Sequence, residues 1–110
     1  MNQSGIKVIF LVLLFLAVAL EVFADVLFKK WAIENKNMLL IFGLAIYFLG
    51  TIFWAYSLKY EFLSKAISVF TVLNLILVVA VGVIVFKEEL SIINKIGVLL
   101  GILSVILIEI

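Results

Sequence analysis

The chain has 110 residues, of which 68% are hydrophobic; its net charge is +1, and it contains neither cysteine nor histidine. Soluble domains contain roughly 45–50% apolar residues, so this composition excludes a soluble protein and indicates an integral membrane protein. The missing residue types exclude disulfides, thiol nucleophiles and the usual zinc sites. The small net charge predicts no nucleic-acid partner. We expect no enzyme activity, metal or cofactor, because no catalytic set or phosphate-binding loop is present.

Four apolar segments are predicted to be transmembrane helices of a single domain, residues 1–110. A spanning helix needs about 20 apolar residues. The segments cover residues 6–28, 38–58, 66–86 and 92–110, and short polar connections separate them. We therefore predict an all-α membrane protein with four spans, located in the cell (plasma or inner) membrane.

The first segment contains the most informative residue of the chain, Glu21. A carboxylate at membrane depth costs roughly 2.5–3.5 kcal/mol on insertion scales, and it usually faces a cavity, a partner or a substrate path. Burial disfavours the charged form, so we expect Glu21 to exchange a proton for a cation near neutral pH. The alternative is a structural carboxylate that is paired with Lys29 or hydrogen-bonded between helices.

Asp25 and Lys29 follow Glu21 at intervals of four residues. This spacing places all three side chains on one face of a helix, with Lys29 at the membrane interface. Asp25 is a candidate for the same site as Glu21. Alternatively, Asp25 and Lys29 form an ordinary solvated pair at a helix end.

The second segment contains Tyr47 and Trp54, which are seven residues apart and share a helix face. Aromatic rings can stack on organic cations, and they also populate the interfacial belts of membrane proteins. Both residues are candidates for lining a cavity, and the belt interpretation stays open.

The third segment contains a polar stripe at steps of four, three and three residues, which keeps it on one helix face. Its members are Ser64, Ser68, Thr71 and Asn74. Polar groups inside a bilayer need hydrogen-bond partners. The stripe lines a cavity opposite Glu21 or forms hydrogen bonds between helices. We favour the second interpretation for the hydroxyl residues and leave both open for Asn74.

The fourth segment contains Gly97, Gly101 and Ser104, a strip of small residues that includes one GxxxG motif. Such strips let two helices approach closely, so we predict that this segment packs in a dimer. Four helices are also too few to enclose a polar pathway and shield it from lipid. A twofold dimer is the simplest way to complete the enclosure.

Lysine residues are distributed almost evenly between the two sides of the predicted bundle, and both a fixed and a dual topology stay open. The positive-inside rule mildly favours a cytoplasmic location for the first and third loops. The lysines of the N-terminus and second loop are Lys7, Lys59 and Lys65; those on the other side are Lys29, Lys30, Lys36, Lys87 and Lys95.

Residues 19–32, ALEVFADVLFKKWA, resemble the small multidrug resistance family of four-helix transporters. In that family a first-span Glu is followed eight residues later by a Lys, as Glu21 is by Lys29 here. Residues 86–91, FKEELS, resemble a loop that is common in the wider drug/metabolite transporter superfamily. The resemblance implies an antiparallel homodimer, or a heterodimer with a paralogue. Glu21 of both protomers would then form one site that exchanges protons for a cationic substrate.

The third segment departs from the pattern of that family. Phe70 stands in for the usual aromatic residue, but the glycines that let the helix kink are missing from residues 70–75, FTVLNL. The stretch around Asn74 is closer to four-helix subunits that flip lipid-linked aminosugars. Those subunits generally lack the Glu.

We therefore predict a proton-coupled secondary transporter that exports small organic cations, surrounded by membrane lipid. Glu21 is the shared proton and substrate site; the other candidate site residues are Asp25, Tyr47, Trp54, Phe70 and Asn74. The alternatives are a subunit of a lipid-linked sugar flippase and a non-transporting membrane assembly protein.

Overall fold

The computed structural model describes residues 3–109, and there it consists of four α-helices joined by short connections. They are α1 (Gln3–Glu34), α2 (Asn37–Ser57), α3 (Leu63–Ile84) and α4 (Ile92–Glu109). The part of the chain that the structure describes contains no strand, so the all-α prediction is confirmed. Residue 110, the predicted end of the fourth span, and residues 1 and 2 lie outside the described residues.

Helices α1, α2 and α3 are long and apolar enough to cross a membrane. The chain is therefore a multi-pass membrane protein. The apolar part of α4, Ile92–Ile108, is shorter than these three. The crossing of the membrane by α4 stays a prediction.

Local hydrogen bonds at the helix ends determine where the connections begin. Asn35 has a left-handed backbone (φ 59°), and its N–H donates to the Trp31 carbonyl oxygen at 2.7 Å, which ends α1. Asparagine tolerates this conformation better than most residues. At the other end of the chain, Ser91 Oγ accepts a hydrogen bond from the Asn94 N–H at 3.1 Å and so caps the start of α4.

The chain divides after Phe62 into two compact units, α1 with α2 and α3 with α4. Each unit is an antiparallel helical hairpin with its own packing. The prediction of one domain over residues 1–110 stays a prediction.

Helices α1 and α2 pack along a seam in which large and small residues face each other. The buried residues of α2 are small and lie seven residues apart: Gly43, Gly50 and Ser57. On α1 five buried residues follow steps of four and three, as in a coiled coil: Phe10, Leu14, Ala17, Glu21 and Ala24. Val18 and Val22 are buried beside them. A Cβ atom added to Gly43 would lie 2.7 Å from Cε1 of Phe28. The absence of a side chain at Gly43 therefore makes room for the Phe28 ring.

The second unit uses one of its α4 glycines for packing. A Cβ atom on Gly101 would lie 3.2 Å from Cδ2 of Leu75 on α3, whereas one on Gly97 would meet nothing within 4 Å. Ser104 is exposed. One residue of the GxxxG motif, Gly101, thus packs against α3 within the same subunit. The role of the motif in a dimer stays a prediction.

We expect Gly43→Ala to destabilise the protein, because the new methyl group would overlap the Phe28 ring. Overpacking of this kind costs about 1–3 kcal/mol. For the monomer in detergent, Gly97→Ala is the matched control, and it should be neutral or stabilise by about 0.4–1 kcal/mol, since within one subunit its Cβ atom enters open space. Thermal unfolding in detergent measures both changes. Equal effects of the two substitutions would contradict the described seam.

Candidate functional site

Glu21 lies on the face of α1 that packs against α2, and only 8% of its surface is exposed. It is buried there because α2 presents Gly50 at the same level. A Cβ atom on Gly50 would lie 3.1 Å from Cγ of Glu21 and 3.2 Å from the carbonyl oxygen of Ala17. The stem of Glu21 therefore rests directly on the α2 backbone.

The Glu21 carboxylate has no described partner. Within residues 3–109 no hydrogen bond or ion pair of this group is described, and its oxygen atoms are not among the fully buried side-chain atoms that lack a partner, so the carboxyl end is in part accessible. Lys29, the partner that the sequence allowed, is eight residues away, a rise of about 12 Å along a helix. Whether Glu21 is a functional or a structural carboxylate therefore stays a prediction.

Asp25 follows Glu21 by one helical turn on the same face of α1 and is half-buried. Side chains at this spacing have Cβ atoms about 5–6 Å apart. The α1 face thus carries two carboxyl groups, one buried and one half-buried, in an otherwise apolar stretch.

Tyr47 and Trp54 flank Gly50 on α2. Tyr47 precedes Gly50 by three residues and Trp54 follows it by four, so all three share the face that meets α1. The rings of Tyr47 and Phe28 are in contact, with centroids 6.3 Å apart. The α1–α2 unit thereby contains four of the predicted site residues: Glu21 packs against Gly50, and Tyr47 packs against Phe28.

Phe70 and Asn74, the other two predicted site residues, belong to the α3–α4 unit. Oδ1 of Asn74 is buried and accepts no hydrogen bond from any described residue. The placement of this amide opposite Glu21 stays a prediction.

One hydroxyl group of α3, that of Ser68, forms a bond within its own helix, whereas we expected bonds between helices; for Ser64 and Thr71 the expectation stays a prediction. Oγ of Ser68 donates to the carbonyl oxygen of Ser64 in the same helix, at 2.7 Å. Thr51 on α2 does the same with the Tyr47 carbonyl oxygen, at 2.9 Å. A Ser or Thr side chain can reach the preceding turn of its own helix, so its polarity needs no neighbouring helix.

The sequence interpretation did not include Gly50 among the site residues. The signal for it was present, because Gly43, Gly50 and Ser57 recur at intervals of seven residues. That spacing identifies a small-residue seam, but only the register between α1 and α2 shows that Gly50 faces Glu21.

Residues 2–110 match the EamA-like transporter family. The chain belongs to that family. No curated protein and no solved structure matches this EamA-like chain. The membership supports the broader part of the resemblance, the drug/metabolite transporter superfamily, and is consistent with a protein that is not an enzyme. Assignment to the small multidrug resistance family stays a prediction.

We expect Glu21→Gln to leave the stability of this EamA-like protein unchanged or to raise it. A carboxylate with no described partner contributes a desolvation cost and no compensating attraction, and a neutral amide lowers that cost. Breaking a buried ion pair would instead cost about 3–5 kcal/mol.

Chemical and thermal unfolding in detergent distinguish these outcomes. The control is Glu34→Gln, which removes only the exposed contact of Glu34 with Lys36 at 3.9 Å. Such surface pairs contribute about 0–1 kcal/mol. A large loss of stability in Glu21→Gln alone would indicate a structural partner for Glu21.

Proposed function

We propose that this protein is a proton-coupled secondary transporter that exports small organic cations across the cell membrane. The observation that carries the proposal is the buried Glu21 side chain, whose Cγ atom packs against Gly50 of α2. Membership of a transporter family supports the same conclusion.

Coupling follows from the chemistry of one buried carboxyl group. An unpaired carboxylate in an apolar seam is unfavourable, so it binds either a proton or a cation. The two occupants exclude each other, because protonation removes the charge that attracts the cation. Binding of substrate on one side of the membrane then releases a proton, and the reverse occurs on the other side.

Tyr47 and Trp54 favour an organic substrate over a metal ion. An aromatic face attracts a cation by about 0.5–2 kcal/mol, with the larger values where water is excluded. Ammonium and guanidinium compounds are less strongly hydrated than small inorganic cations, and their carbon atoms also gain from apolar surroundings. We assign Asp25 an accessory role as a second carboxylate one turn from Glu21.

The transporter is proposed to act as a dimer in membrane lipid. Four helices enclose too little volume to shield a substrate from lipid, so a second subunit completes the pathway. Either an antiparallel homodimer or a heterodimer with a paralogue brings two copies of Glu21 to one site. Phe70, Asn74 and the α4 strip around Gly97 are proposed to contribute to the cavity and the dimer contact.

A second candidate function rests on Asn74. Its buried Oδ1 lacks a donor among the described residues, and a sugar hydroxyl is a suitable donor. A subunit that flips a lipid-linked sugar would use this acceptor. That function gives no role to the Glu21 carboxylate, so it is the weaker proposal.

Proton release from purified protein tests the first proposal. Tetraphenylphosphonium, guanidinium compounds and polyamines would be titrated into weakly buffered detergent solutions of wild type, Glu21→Gln and the control Glu34→Gln. We expect saturable release from wild type and Glu34→Gln and none from Glu21→Gln, because only Glu21 exchanges its proton for substrate.

The same titration separates the rival function. Equal release from wild type and Glu21→Gln would refute the role of Glu21. If no cation releases protons, while Asn74→Leu abolishes flipping of a polyprenyl-linked sugar in vesicles and Glu21→Gln preserves it, the flippase function is correct.

We expect Trp54→Leu and Tyr47→Leu each to weaken tetraphenylphosphonium binding about 2- to 30-fold, the equivalent of one cation–π contact. Tyr47→Phe should bind like wild type, since the ring is retained. Phe48→Leu is the control, because Phe48 is 69% exposed and lies beside the Tyr47 face. Isothermal titration calorimetry measures these constants. Equal losses in Phe48→Leu and Tyr47→Leu would exclude a specific aromatic contribution.

A further inference from the structure

Gly50 is the point at which the α2 backbone meets the stem of Glu21. A Cβ atom on Gly50 would lie 3.1 Å from Cγ of Glu21, 3.2 Å from the carbonyl oxygen of Ala17 and 3.2 Å from Cβ of Leu20. The last two atoms are part of the α1 backbone or attached to it. Rotation of a side chain cannot move them, so a methyl group at Gly50 would displace α1 itself or push Glu21 aside.

The other glycine of the seam, Gly43, has a different environment. The third neighbour of an added Cβ atom, Cβ of Leu27, lies at 3.4 Å, an ordinary van der Waals distance; the two nearer ones are Cε1 and Cδ1 of Phe28, at 2.7 and 2.9 Å. These atoms belong to a side chain, and Glu21 is not among the three nearest neighbours of that position. Gly43 and Gly50 are thus both glycines of α2 in the same seam, but only Gly50 has Glu21 among its three nearest neighbours.

Packing is what fixes the position of the Glu21 side chain. Within residues 3–109 the contact described for Glu21 across the seam is one of packing, between its Cγ atom and the α2 backbone at Gly50. Its Cγ atom is held by van der Waals contacts, and Gly50 provides the close one from α2. When packing alone holds a functional group in place, displacements well below 1 Å are enough to disturb its function.

We propose that Gly50 is a positioning residue for Glu21: its lack of a side chain holds the carboxyl group in the α1–α2 seam between Tyr47 and Trp54. The inference deepens the proposed function, on which its consequence for cation binding rests. Gly50 itself touches neither proton nor substrate in this proposal, and it acts through the placement of Glu21.

The experiment compares Gly50→Ala with the matched variant Gly43→Ala. The first readout is covalent modification of Glu21 by dicyclohexylcarbodiimide, an apolar reagent that attacks protonated carboxyl groups, followed by peptide mass spectrometry. Glu21→Gln identifies the signal of Glu21 against that of Asp25. The second readout is the dissociation constant of tetraphenylphosphonium.

We expect Gly50→Ala to raise the modification rate of Glu21 and to weaken cation binding, each by about tenfold or more, because a displaced carboxyl group leaves the seam and the aromatic pair. Gly43→Ala should change neither readout more than about twofold, although it overpacks the same seam and lowers the unfolding temperature.

Equal changes in the two variants on both readouts would overturn the proposal and leave Gly50 a general packing residue. If wild type binds no cation, the proposed function fails, and the modification rates still decide the role of Gly50. If Gly50→Ala does not fold, solid-state NMR of wild type labelled with ¹³C-glycine and ¹³C-glutamate replaces it. A cross-peak between Gly50 Cα and Glu21 Cγ is then required, and its absence refutes the contact.

Discussion

The rest of the structure depends on the burial of one carboxyl group, Glu21, in the seam between α1 and α2. The fold accommodates the volume of this side chain against the α2 backbone at Gly50. Gly50 accommodates that volume, although a glycine inside a helix costs about 1 kcal/mol relative to alanine. Gly50 also lets the two helices approach closely, which favours their packing in a membrane. The acid has no such explanation in packing, so its burial has a ready explanation in function.

The two units use their apolar residues differently. In α1 and α2 the seam alternates large and small residues, whereas α4 contains no buried residue among those whose side chains the structure describes. In lipid the hydrophobic effect does not drive helices together, so close packing and polar contacts decide which faces associate. The exposed Leu and Ile residues of α4 are therefore what a lipid-facing helix requires. They do not by themselves call for a protein partner.

The sequence predicted the helices well, because long apolar segments with polar breaks leave few alternatives in a membrane. It also placed Glu21 and Asp25 on one face, since that follows from helical spacing alone. It could not show that Glu21 faces Gly50, because this depends on the register between α1 and α2, which the short connection at Asn35 and Lys36 sets. The internal hydrogen bond of Ser68 was also missed, since spacing cannot distinguish a bond within a helix from one between helices.

The packing of the α1–α2 seam restricts how a transporter of this kind can change conformation. Sharp helix bends arise at proline, at glycine or serine pairs, or where the hydrogen-bond ladder is interrupted. The chain has no proline, and the predicted kink region of α3, residues 70–75, has no glycine. Gly43 and Gly50 face α1, where Phe28 and Glu21 occupy the space that bending would need. Alternating access in the proposed dimer would therefore use straight helices that rock as rigid bodies, a mode known for transporter repeats. Glu21 would then move together with the α1–α2 unit. The carboxyl group and the aromatic residues of α2 would stay together whichever side of the membrane the site faces.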